Sequence, residues 1–305
     1  MNCLKQLSIF GLETIPEIKP GDDISAIILS SCEKEKIKLE TNDVILITSK
    51  IVSKAENSLV DLEKIVPSRK ARAIAKLTGK EPIEVEIILS QSTQISAVIP
   101  VEKVMQHYPE IFYNVSSDRE AALRTVHKVP SMLLTITKQG ILATDAGLDY
   151  SNNPFGKASL LPSNPNSSAN KIRDQLFKQS GKDVAVVITD TEIAFTNIYG
   201  SSEIAIGYSG IRPVAHRFAS KDRFGREKFG GADVIVDELA CAAALLGGQT
   251  SEGIPVVIVR GLEYEKVGGN GQLSFPVDAL QKGFSWTILA TLKLRIFSKI
   301  IELFV

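Results

Sequence analysis

Oxygen-bearing side chains that suit a magnesium or manganese ion follow apolar runs at three points of this sequence. They occur in "TDAGLDYSNN", in "VAVVITDT", and after a double glycine in "LLGGQTSEG". Carboxylate, hydroxyl and amide oxygens are the ligands that Mg²⁺ and Mn²⁺ prefer, and these ions keep positions for water and substrate phosphate. The candidate ligands are Asp145, Asp149, Asp190, Thr191, Gln249 and Thr250. Each stretch taken alone also fits a turn or a helix cap, so a purely structural role stays open.

Other common catalytic motifs are missing from the sequence. It contains no GxGxxG after a strand, no GxxxxGK[ST], no HExxH and no GxSxG. A Rossmann fingerprint, a P-loop, a zinc-protease helix and a nucleophile elbow are therefore not predicted. His107, His127 and His216 lie far apart along the chain, which does not indicate a metal site built from imidazoles.

The charge and the cysteine content restrict the partners and the compartment. Lysine plus arginine equals aspartate plus glutamate at 35 each, so no net field favours nucleic acid or a membrane surface. Cys3, Cys32 and Cys241 form no CxxC pair, and the N-terminal stretch has no long apolar run. We therefore expect a cytoplasmic protein. No stretch reaches the roughly 18 consecutive apolar residues of a membrane span, so none is predicted.

Apolar runs and amphipathic segments alternate irregularly along the chain. Buried strands are predicted at Val44–Thr48, in "DVAVVIT" and in "PVVIVR", and a hairpin is predicted to turn at Gln139-Gly140. Helices are predicted in "VPSRKARAIAKLTGKEP", in "PIEVEIILSQS", in the segment that ends at Gly181, and from Asp233 to Leu246. This mixture predicts an α/β or α+β fold of two interlocked lobes. The Pro/Ser/Asn-rich stretch at 162–170 is the candidate break between them.

Residues 263–305 are predicted to form a loop and a C-terminal amphipathic helix. The segment Gly268–Ser285 is rich in glycine and is predicted to be a loop. Beyond it, Arg295, Lys299 and Glu302 share one side of a helix. The apolar side chains that fall mostly opposite are Trp286, Leu289, Ile296, Ile300 and Phe304. Such a face suits docking on the protein's own core or on a partner subunit, or contact with a membrane surface.

The order of several motifs resembles that of the coenzyme F420-0:γ-glutamyl ligase family. The matching stretches are "GLETIPEIKPGDDI", "DVILITSKIVSKAE", "ATDAGLDYSN", "LLPSNPNSSANKIR", "VAVVITDT", "AIGYSGIRPV", "DRFGRE" and "VDELACAAALLGGQTSEGIPVVIVRG". They cover most of residues 10–262 in the order of the family. The resemblance implies that residues 1–262 form a ligase-like domain.

The resemblance further implies a GTP-dependent ligation of L-glutamate to a deazaflavin coenzyme precursor through a γ-linked amide bond. The γ-phosphoryl group of GTP would activate the carboxyl group on the lactyl-phosphate arm of the acceptor, and the amine of L-glutamate would attack it. Mg²⁺ or Mn²⁺ would neutralise the phosphate charge, with a monovalent cation such as K⁺ also implied. The expected assembly is an intertwined homodimer of two-lobed α/β subunits.

The matching motifs assign residues to these ligands. The cation ligands would be Asp149, Asp190, Thr191 and Gln249. The GTP site would comprise Leu12, Glu13, Thr14, Ile15, Ser49, Lys50, Lys54, Asn152, Gly247, Gly248, Thr250, Ser251, Glu252, Gly253 and Ile254. Lys50 and Lys54 suit phosphate groups because each ammonium is a compact charge on a flexible stem, although a solvated surface is the alternative. No catalytic side chain beyond the cation ligands is implied.

The segment after Thr191 departs from the family pattern. The pattern resembles Phe-Gly-Arg-Pro-Trp-Arg followed by Gly-Gln-Thr, whereas this chain has "EIAFTNIYGSSEIAIG". Loss of two arginines and the arrival of Glu192 should weaken binding of an anionic acceptor, because arginine binds carboxylates and phosphates through paired hydrogen bonds. Three functions therefore stay open: the ligase itself, a paralogous amide ligase with another acceptor, and a non-catalytic nucleotide-binding dimeric protein.

Overall fold

The computed structural model of the chain describes residues 6–194, 200–268 and 277–302. The strands in this part of the chain are β1 (Ser8–Gly11), β2 (Val44–Thr48), β3 (Leu59–Asp61), β4 (Ser92–Ile99), β5 (Met132–Thr137), β6 (Leu142–Thr144), β7 (Lys157–Ser159), β8 (Ala185–Ile193), β9 (Ser201–Ser209) and β10 (Val256–Arg260). The helices are α1 (Ile24–Lys34), α2 (Ser49–Ala55), α3 (Arg69–Thr78), α4 (Pro82–Gln91), α5 (Val101–His107), α6 (Pro109–Asn114), α7 (Arg119–Lys128), α8 (Pro165–Ser180), α9 (Ile235–Gly247) and α10 (Val277–Glu302). The predicted mixed α/β class is confirmed.

The chain divides into two compact units, and each unit is discontinuous in sequence. The first comprises Met1–Glu63 and Gly147–Leu273, and the second comprises Lys64–Ala146 and Ser274–Val305. The stretch 162–170, considered from the sequence as a break, lies inside the first unit. It contains the start of α8, where the Asn164 side chain accepts a hydrogen bond from the Ser167 amide at 3.0 Å.

The first unit is built on a five-stranded sheet in the order β1-β10-β2-β8-β9. The central pair β2 and β8 is parallel, and all the other pairs in this sheet are antiparallel. A short antiparallel pair, β3 and β7, belongs to the same unit. Helix α9 packs on one face of the sheet, and α8 packs on β8 and β9 and on α1.

Burial on both faces explains why β2 and β8 are continuous apolar runs rather than alternating ones. Val44 and Val187 pack with α9 in one core cluster. Ile45, Ile47 and Ile188 are fully buried as well. Each such side chain contributes on the order of 1.5 to 3 kcal/mol through burial, so these runs stabilise the strands next to the candidate site.

The second unit contains the three-stranded sheet β4-β5-β6 together with α3–α7 and α10. The predicted hairpin is confirmed, because β5 and β6 pair around Gln139-Gly140 and Gly140 has a φ of 81°. The helix predicted in "VPSRKARAIAKLTGKEP" is also confirmed as α3. Its N-terminus is capped by Ser68, whose Oγ accepts from the Ala71 amide at 3.1 Å, and Gly79 ends it in the left-handed conformation.

Two boundaries differ from the sequence prediction. The alanine-rich helix begins at Ile235 rather than Asp233. The loop prediction for Gly268–Ser285 is wrong from Val277 onward, where α10 begins, while residues 269–276 lie outside the described residues. The glycine content of the segment does not prevent a helix from Val277 onward, because the one glycine there, Gly283, costs a helix only about 1 kcal/mol.

The predicted C-terminal helix is present as α10, but most of its described apolar side chains are exposed. Gln281 donates a hydrogen bond to the Thr93 hydroxyl at 3.0 Å within the second unit. Farther along, Trp286, Leu289 and Ile296 are each more than half exposed. Docking of these side chains on the chain's own core is thus not observed, and the alternatives of a partner subunit or a membrane surface stay predictions. Phe304 lies outside the described residues. No helix in the described part of the chain is long and apolar enough to cross a membrane.

Candidate functional site

Many of the residues predicted from the sequence motifs lie at one edge of the five-stranded sheet. Thr48 at the end of β2 lies opposite Thr189 of β8 in a parallel register. The antiparallel partner β10 begins at this edge, with Val256 opposite Ile47, and β1 ends there, with Gly11 opposite Val257. The segments 12–15, 49–54, 190–191 and 247–254 therefore meet at the carboxyl ends of β2 and β8. This is the usual ligand position of an α/β sheet.

Asp190 lies at the centre of this edge. The Ser49 hydroxyl, on the first residue of α2, donates to Asp190 Oδ1 at 2.6 Å. Burial raises the pKa of Asp190, and with the nearby carboxylates of Glu203, Glu192 and Asp149 it brings the pKa to about 7 against the lowering effect of the hydrogen bond from Ser49. A bound cation would relieve this repulsion and favour the ionised carboxylate.

The next residue, Thr191, is oriented by a glutamate that the motif comparison did not single out. Thr191 Oγ1 donates to Glu203 Oε1 at 2.5 Å, and Thr191 is paired with Glu203 across β8 and β9. Glu203 is only 8% exposed, and burial raises the pKa of its carboxyl group while the hydroxyls of Thr191 and Thr189 lower it. The only sequence signal for this residue was a glutamate that directly precedes the apolar stretch "IAI".

Both lysines that were predicted to bind phosphate lie on α2, and both contact the loop that carries Asp149 and Asn152. The Lys50 ammonium forms an ion pair with Asp149 and donates to the Ser151 carbonyl at 2.8 Å. The Lys54 ammonium donates to the Asn152 carbonyl at 2.8 Å and pairs with Glu17 at 2.6 Å. These contacts hold the loop carrying Asp149 and Asn152 against α2.

The segment 247–254 forms a tight turn between α9 and β10. Gly248 has a φ of 62°, and a side chain there would meet Glu252, since an added Cβ would lie 2.2 Å from its Cδ. The Glu252 carboxylate accepts from the Thr250 amide at 2.8 Å and from the Thr250 hydroxyl at 3.1 Å. Gln249 accepts from the Ser201 hydroxyl at 2.8 Å.

Further contacts join the 247–254 segment to the loop of Asn152 and to the end of β1. Asn152 reaches the Thr250 carbonyl at 3.4 Å. The close approach of β1 leaves no room for a side chain at Gly11, where an added Cβ would lie 2.8 Å from Ile254. Leu12 is fully buried and its amide donates to the Val256 carbonyl at 2.9 Å. Because Leu12 and Ile254 serve packing, their backbone rather than their side chains is what they present to a ligand.

Two predicted residues have protein partners that restrict their role. The amide and hydroxyl of Thr14 both donate to Glu35 Oε1 at 2.8 Å, so Glu35 sets the conformation of the 12–15 loop. Asp145 is not part of the edge described above. It belongs to the second unit, where it pairs with the buried Lys80 at 3.0 Å and accepts from the Leu133 amide at 2.9 Å. Asp145 is therefore a structural ion-pair residue.

The donor set at this edge fits a hard divalent cation that also binds substrate. In the part of the chain that the structure describes, no three His, Cys, Asp or Glu side chains are grouped closely enough to hold a metal by themselves. Mg²⁺ and Mn²⁺ need only one or two carboxylates when phosphate and water complete the coordination. Asp190 and Asp149, with the Ser49 hydroxyl 2.6 Å from Asp190 Oδ1, provide oxygen ligands of this kind.

Comparison with known proteins identifies the family of the chain. Residues 13–261 match the family model described as F420-0:Gamma-glutamyl ligase. The chain is 34% identical to the coenzyme F420:L-glutamate ligase of Methanothermobacter thermautotrophicus over 266 residues, which are 87% of this chain and 93% of that protein. It is 38% identical to the enzyme of the same name from Methanosarcina mazei over 253 residues, 83% of this chain and 85% of that protein. The chain therefore belongs to the F420-0:gamma-glutamyl ligase family.

Proposed function

We propose that this chain is a coenzyme F420:L-glutamate ligase that uses GTP and a divalent cation. The observation that carries the proposal is the arrangement at the sheet edge. Asp190, with a pKa raised by burial and by neighbouring carboxylates, shares the edge with Asp149 and with two lysines on α2. This combination suits a cation bound to nucleotide phosphate, and the relatives that match most of the chain carry this enzyme's name.

In the proposed reaction the γ-phosphoryl group of GTP is transferred to the carboxylate of coenzyme F420-0, giving an acyl phosphate and GDP. The amine of L-glutamate attacks the acyl carbon, loses a proton and expels inorganic phosphate, which leaves an amide bond between that carboxyl group and the glutamate nitrogen. Mg²⁺ or Mn²⁺ would neutralise the phosphate charge during transfer. Asp190, Asp149, Thr191 and Gln249 would hold it, and Lys50 and Lys54 would bind the phosphates.

The altered segment after Thr191 supports a second candidate, a paralogous amide ligase with a different acceptor. Glu192 is 7% exposed and Glu203 is 8% exposed, so two carboxylates are buried close to Asp190. Negative charge next to the reacting groups disfavours an acceptor that carries a phosphodiester. The same cation and nucleotide residues would serve this second reaction, so the acceptor alone distinguishes the two functions.

A direct assay distinguishes the functions. Purified chain is incubated with GTP, Mn²⁺, L-glutamate and coenzyme F420-0, and the products are measured by mass spectrometry. A glutamylated coenzyme with stoichiometric GDP supports the proposal. GDP release that depends on glutamate and on a different carboxylate acceptor supports the paralogous ligase. GTP binding with no GDP released under any of these conditions contradicts both and supports a non-catalytic nucleotide-binding protein.

The Asp190→Asn variant tests the site itself. It retains an acceptor for the Ser49 hydroxyl but loses the charge that a cation needs. We expect loss of Mn²⁺-dependent GTP binding, measured by calorimetry with and without Mn²⁺. Unchanged binding would refute the assignment of this edge as the cation site. The proposal also includes a homodimer, a cytoplasmic location and a monovalent cation.

A further inference from the structure

The two lysines of α2 differ in the acid with which each is paired. Lys50 pairs with Asp149, which is also a proposed cation ligand, and donates to the Ser151 hydroxyl at 2.5 Å. Lys54 pairs with Glu17 at 2.6 Å, and Glu17 has no proposed role in cation binding. A cation arriving at Asp149 therefore meets a positive charge already in contact with its ligand, whereas Glu17 and Lys54 are unaffected.

Asp149 is held more firmly than Lys50. Its backbone forms an isolated bridge with Ser159, with the two amide-to-carbonyl bonds at 3.1 and 2.8 Å. The Asn153 side chain donates to the Asp149 carbonyl at 2.9 Å, and the Ser151 amide donates to Asp149 Oδ1 at 2.7 Å. Lys50, by contrast, reaches the carboxylate through a flexible four-carbon stem. When a cation competes for this carboxylate, the lysine is the group that moves.

On the basis of the proposed function, we propose that Lys50 is an exchangeable counter-ion of Asp149. A divalent cation that binds Asp149 displaces the Lys50 ammonium, and the released ammonium becomes available to a phosphate of the nucleotide. The exchange breaks one partly exposed ion pair and the hydrogen bonds from Lys50 to Ser151, and it requires no rearrangement of the backbone bonds that hold Asp149. Lys50 thus couples cation binding to nucleotide binding, and by linkage each ligand strengthens the other.

The exchange predicts effects of opposite sign on the two ligands when the charge of Lys50 is removed. Nucleotide binding weakens because a phosphate partner is lost. Cation binding without nucleotide becomes tighter because the Lys50 ammonium no longer competes for Asp149. If Lys50 only bound phosphate, or only stabilised the fold, removing its charge would not increase the affinity for the cation. The sign of the change in cation affinity is therefore the diagnostic result.

The test is a titration of the full chain with Mn²⁺ in the absence of nucleotide, with free Mn²⁺ measured by electron paramagnetic resonance. Lys50→Gln is expected to bind Mn²⁺ about fivefold more tightly than the wild type, the factor that corresponds to loss of a partly exposed ion pair. The matched control, Lys54→Gln, keeps the wild-type Mn²⁺ affinity, because its partner is Glu17. Lys50→Arg keeps the charge and is expected to remain close to the wild type.

Each outcome bears on the exchange. Unchanged or weaker Mn²⁺ binding by Lys50→Gln, in a variant whose circular dichroism matches the wild type, overturns it. An equal increase of Mn²⁺ affinity in Lys50→Gln and Lys54→Gln also overturns the exchange, because the general loss of positive charge would then explain both increases. Asp149→Asn separates this proposal from the one on which it rests. If Asp149→Asn binds Mn²⁺ like the wild type, the cation site itself is wrong. If Asp149→Asn loses Mn²⁺ binding while Lys50→Gln binds Mn²⁺ like the wild type, the site stands and only the exchange is refuted.

Discussion

At the scale of the residue, two carboxyl groups of this chain have pKa values shifted in opposite directions. Burial and neighbouring acids raise the pKa of Asp190, whereas the ammonium of Lys266 and the guanidinium of Arg173 lower the pKa of Asp183. A raised pKa marks a carboxylate whose ionised form is unfavourable in the protein alone, as expected of a residue that binds a cation. A lowered pKa marks a carboxylate that stabilises the fold through its partners.

Asp190→Asn is expected to stabilise the metal-free protein at pH 8 and to stabilise it less at pH 5. The folded-state pKa of about 7 lies above the ordinary value of 3.8. Between about pH 4 and 7 the folded chain therefore binds more protons than the unfolded chain, and the stability contributed by Asp190 falls as the pH rises through this window. Above it, the neutral amide should add about 1 kcal/mol, a figure reduced because the side chain is only partly buried.

Urea unfolding at pH 5 and pH 8 in the presence of a chelator measures this effect. Asp183→Asn is the control of opposite sign, because it removes a carboxylate with a lowered pKa and should destabilise the protein at pH 8. An Asp190→Asn variant that is equally stable relative to the wild type at both pH values would contradict the raised pKa.

Lys80→Met is expected to destabilise the second unit by about 3 kcal/mol. The Lys80 side chain is fully buried and pairs with Glu84 at 2.7 Å and with Asp145 at 3.0 Å, so its loss leaves two acids without their cation. Urea unfolding followed by fluorescence would measure the change. Lys70→Met on the exposed face of α3 is the control and should stay within about 0.5 kcal/mol of the wild type. A loss below about 1 kcal/mol for Lys80→Met would show that this ion pair contributes little.

At the scale of the element, the parallel pairing of β2 with β8 positions the candidate site. It places Ser49, which begins α2, next to Asp190 on the neighbouring strand. The turn after α9 leads into the antiparallel strand β10, which begins at the same edge. That turn depends on glycine, because Gly248 has a positive φ and lies against Glu252. The shape of the 247–254 segment therefore depends on the backbone conformation of Gly248 as well as on the polar side chains of the segment.

Gly248→Ala and Gly253→Ala form a matched pair of substitutions in this turn. Both glycines have positive φ values, 62° and 73°, but only Gly248 would carry a Cβ into contact with another residue. Gly253→Ala should cost about 1 kcal/mol through backbone strain alone. Gly248→Ala should cost more and weaken GTP binding about tenfold, because Glu252 would be pushed away from the Thr250 amide.

Calorimetric titration with GTP and thermal unfolding of both variants check the prediction. Equal losses of GTP affinity in the two variants would show that strain alone, rather than displacement of Glu252, governs the turn.

At the scale of the whole molecule, an exposed hairpin indicates an interaction surface on the first unit. Residues 216–229 are exposed throughout, and a bridge between Lys221 and Glu227 pairs the two sides of the hairpin. Phe218 and Phe229 contact each other edge to face with centroids 5.4 Å apart, yet they are 57% and 97% exposed. Exposed aromatic rings of this size are typical of protein interfaces. The proposed homodimer offers a partner for them.

We expect the chain to sediment as a dimer and the double variant Phe218→Ser/Phe229→Ser to shift toward monomer by at least tenfold in dissociation constant. Sedimentation velocity over a range of concentrations measures this shift. Phe177→Ser on α8 removes another exposed ring and should leave the dimer intact. A wild-type monomer at all concentrations would refute the homodimer, and an unchanged double variant would place its interface elsewhere.

Local sequence signals predicted much of the fold and some of the site. The helix α3 was predictable because Ser68 and Gly79 act as caps within a few residues of its ends. The strand β9 was not predicted, since its polar and apolar residues do not alternate clearly, and its pairing with β8 is a long-range contact. Glu203 was missed for the same reason, because its importance comes from its position opposite Thr191.

The sequence by itself determined the family, the mixed α/β class and the residue types for a cation and phosphate site. Motifs and apolar runs are local, so neighbouring residues are enough to specify them. Only the tertiary structure decided which of the candidate acids share an edge. It placed Asp149 against Lys50 and Asp145 against Lys80, although the two acids are four residues apart in one loop. The division between the units falls between these acids, and the packing of distant segments selects a different partner for each.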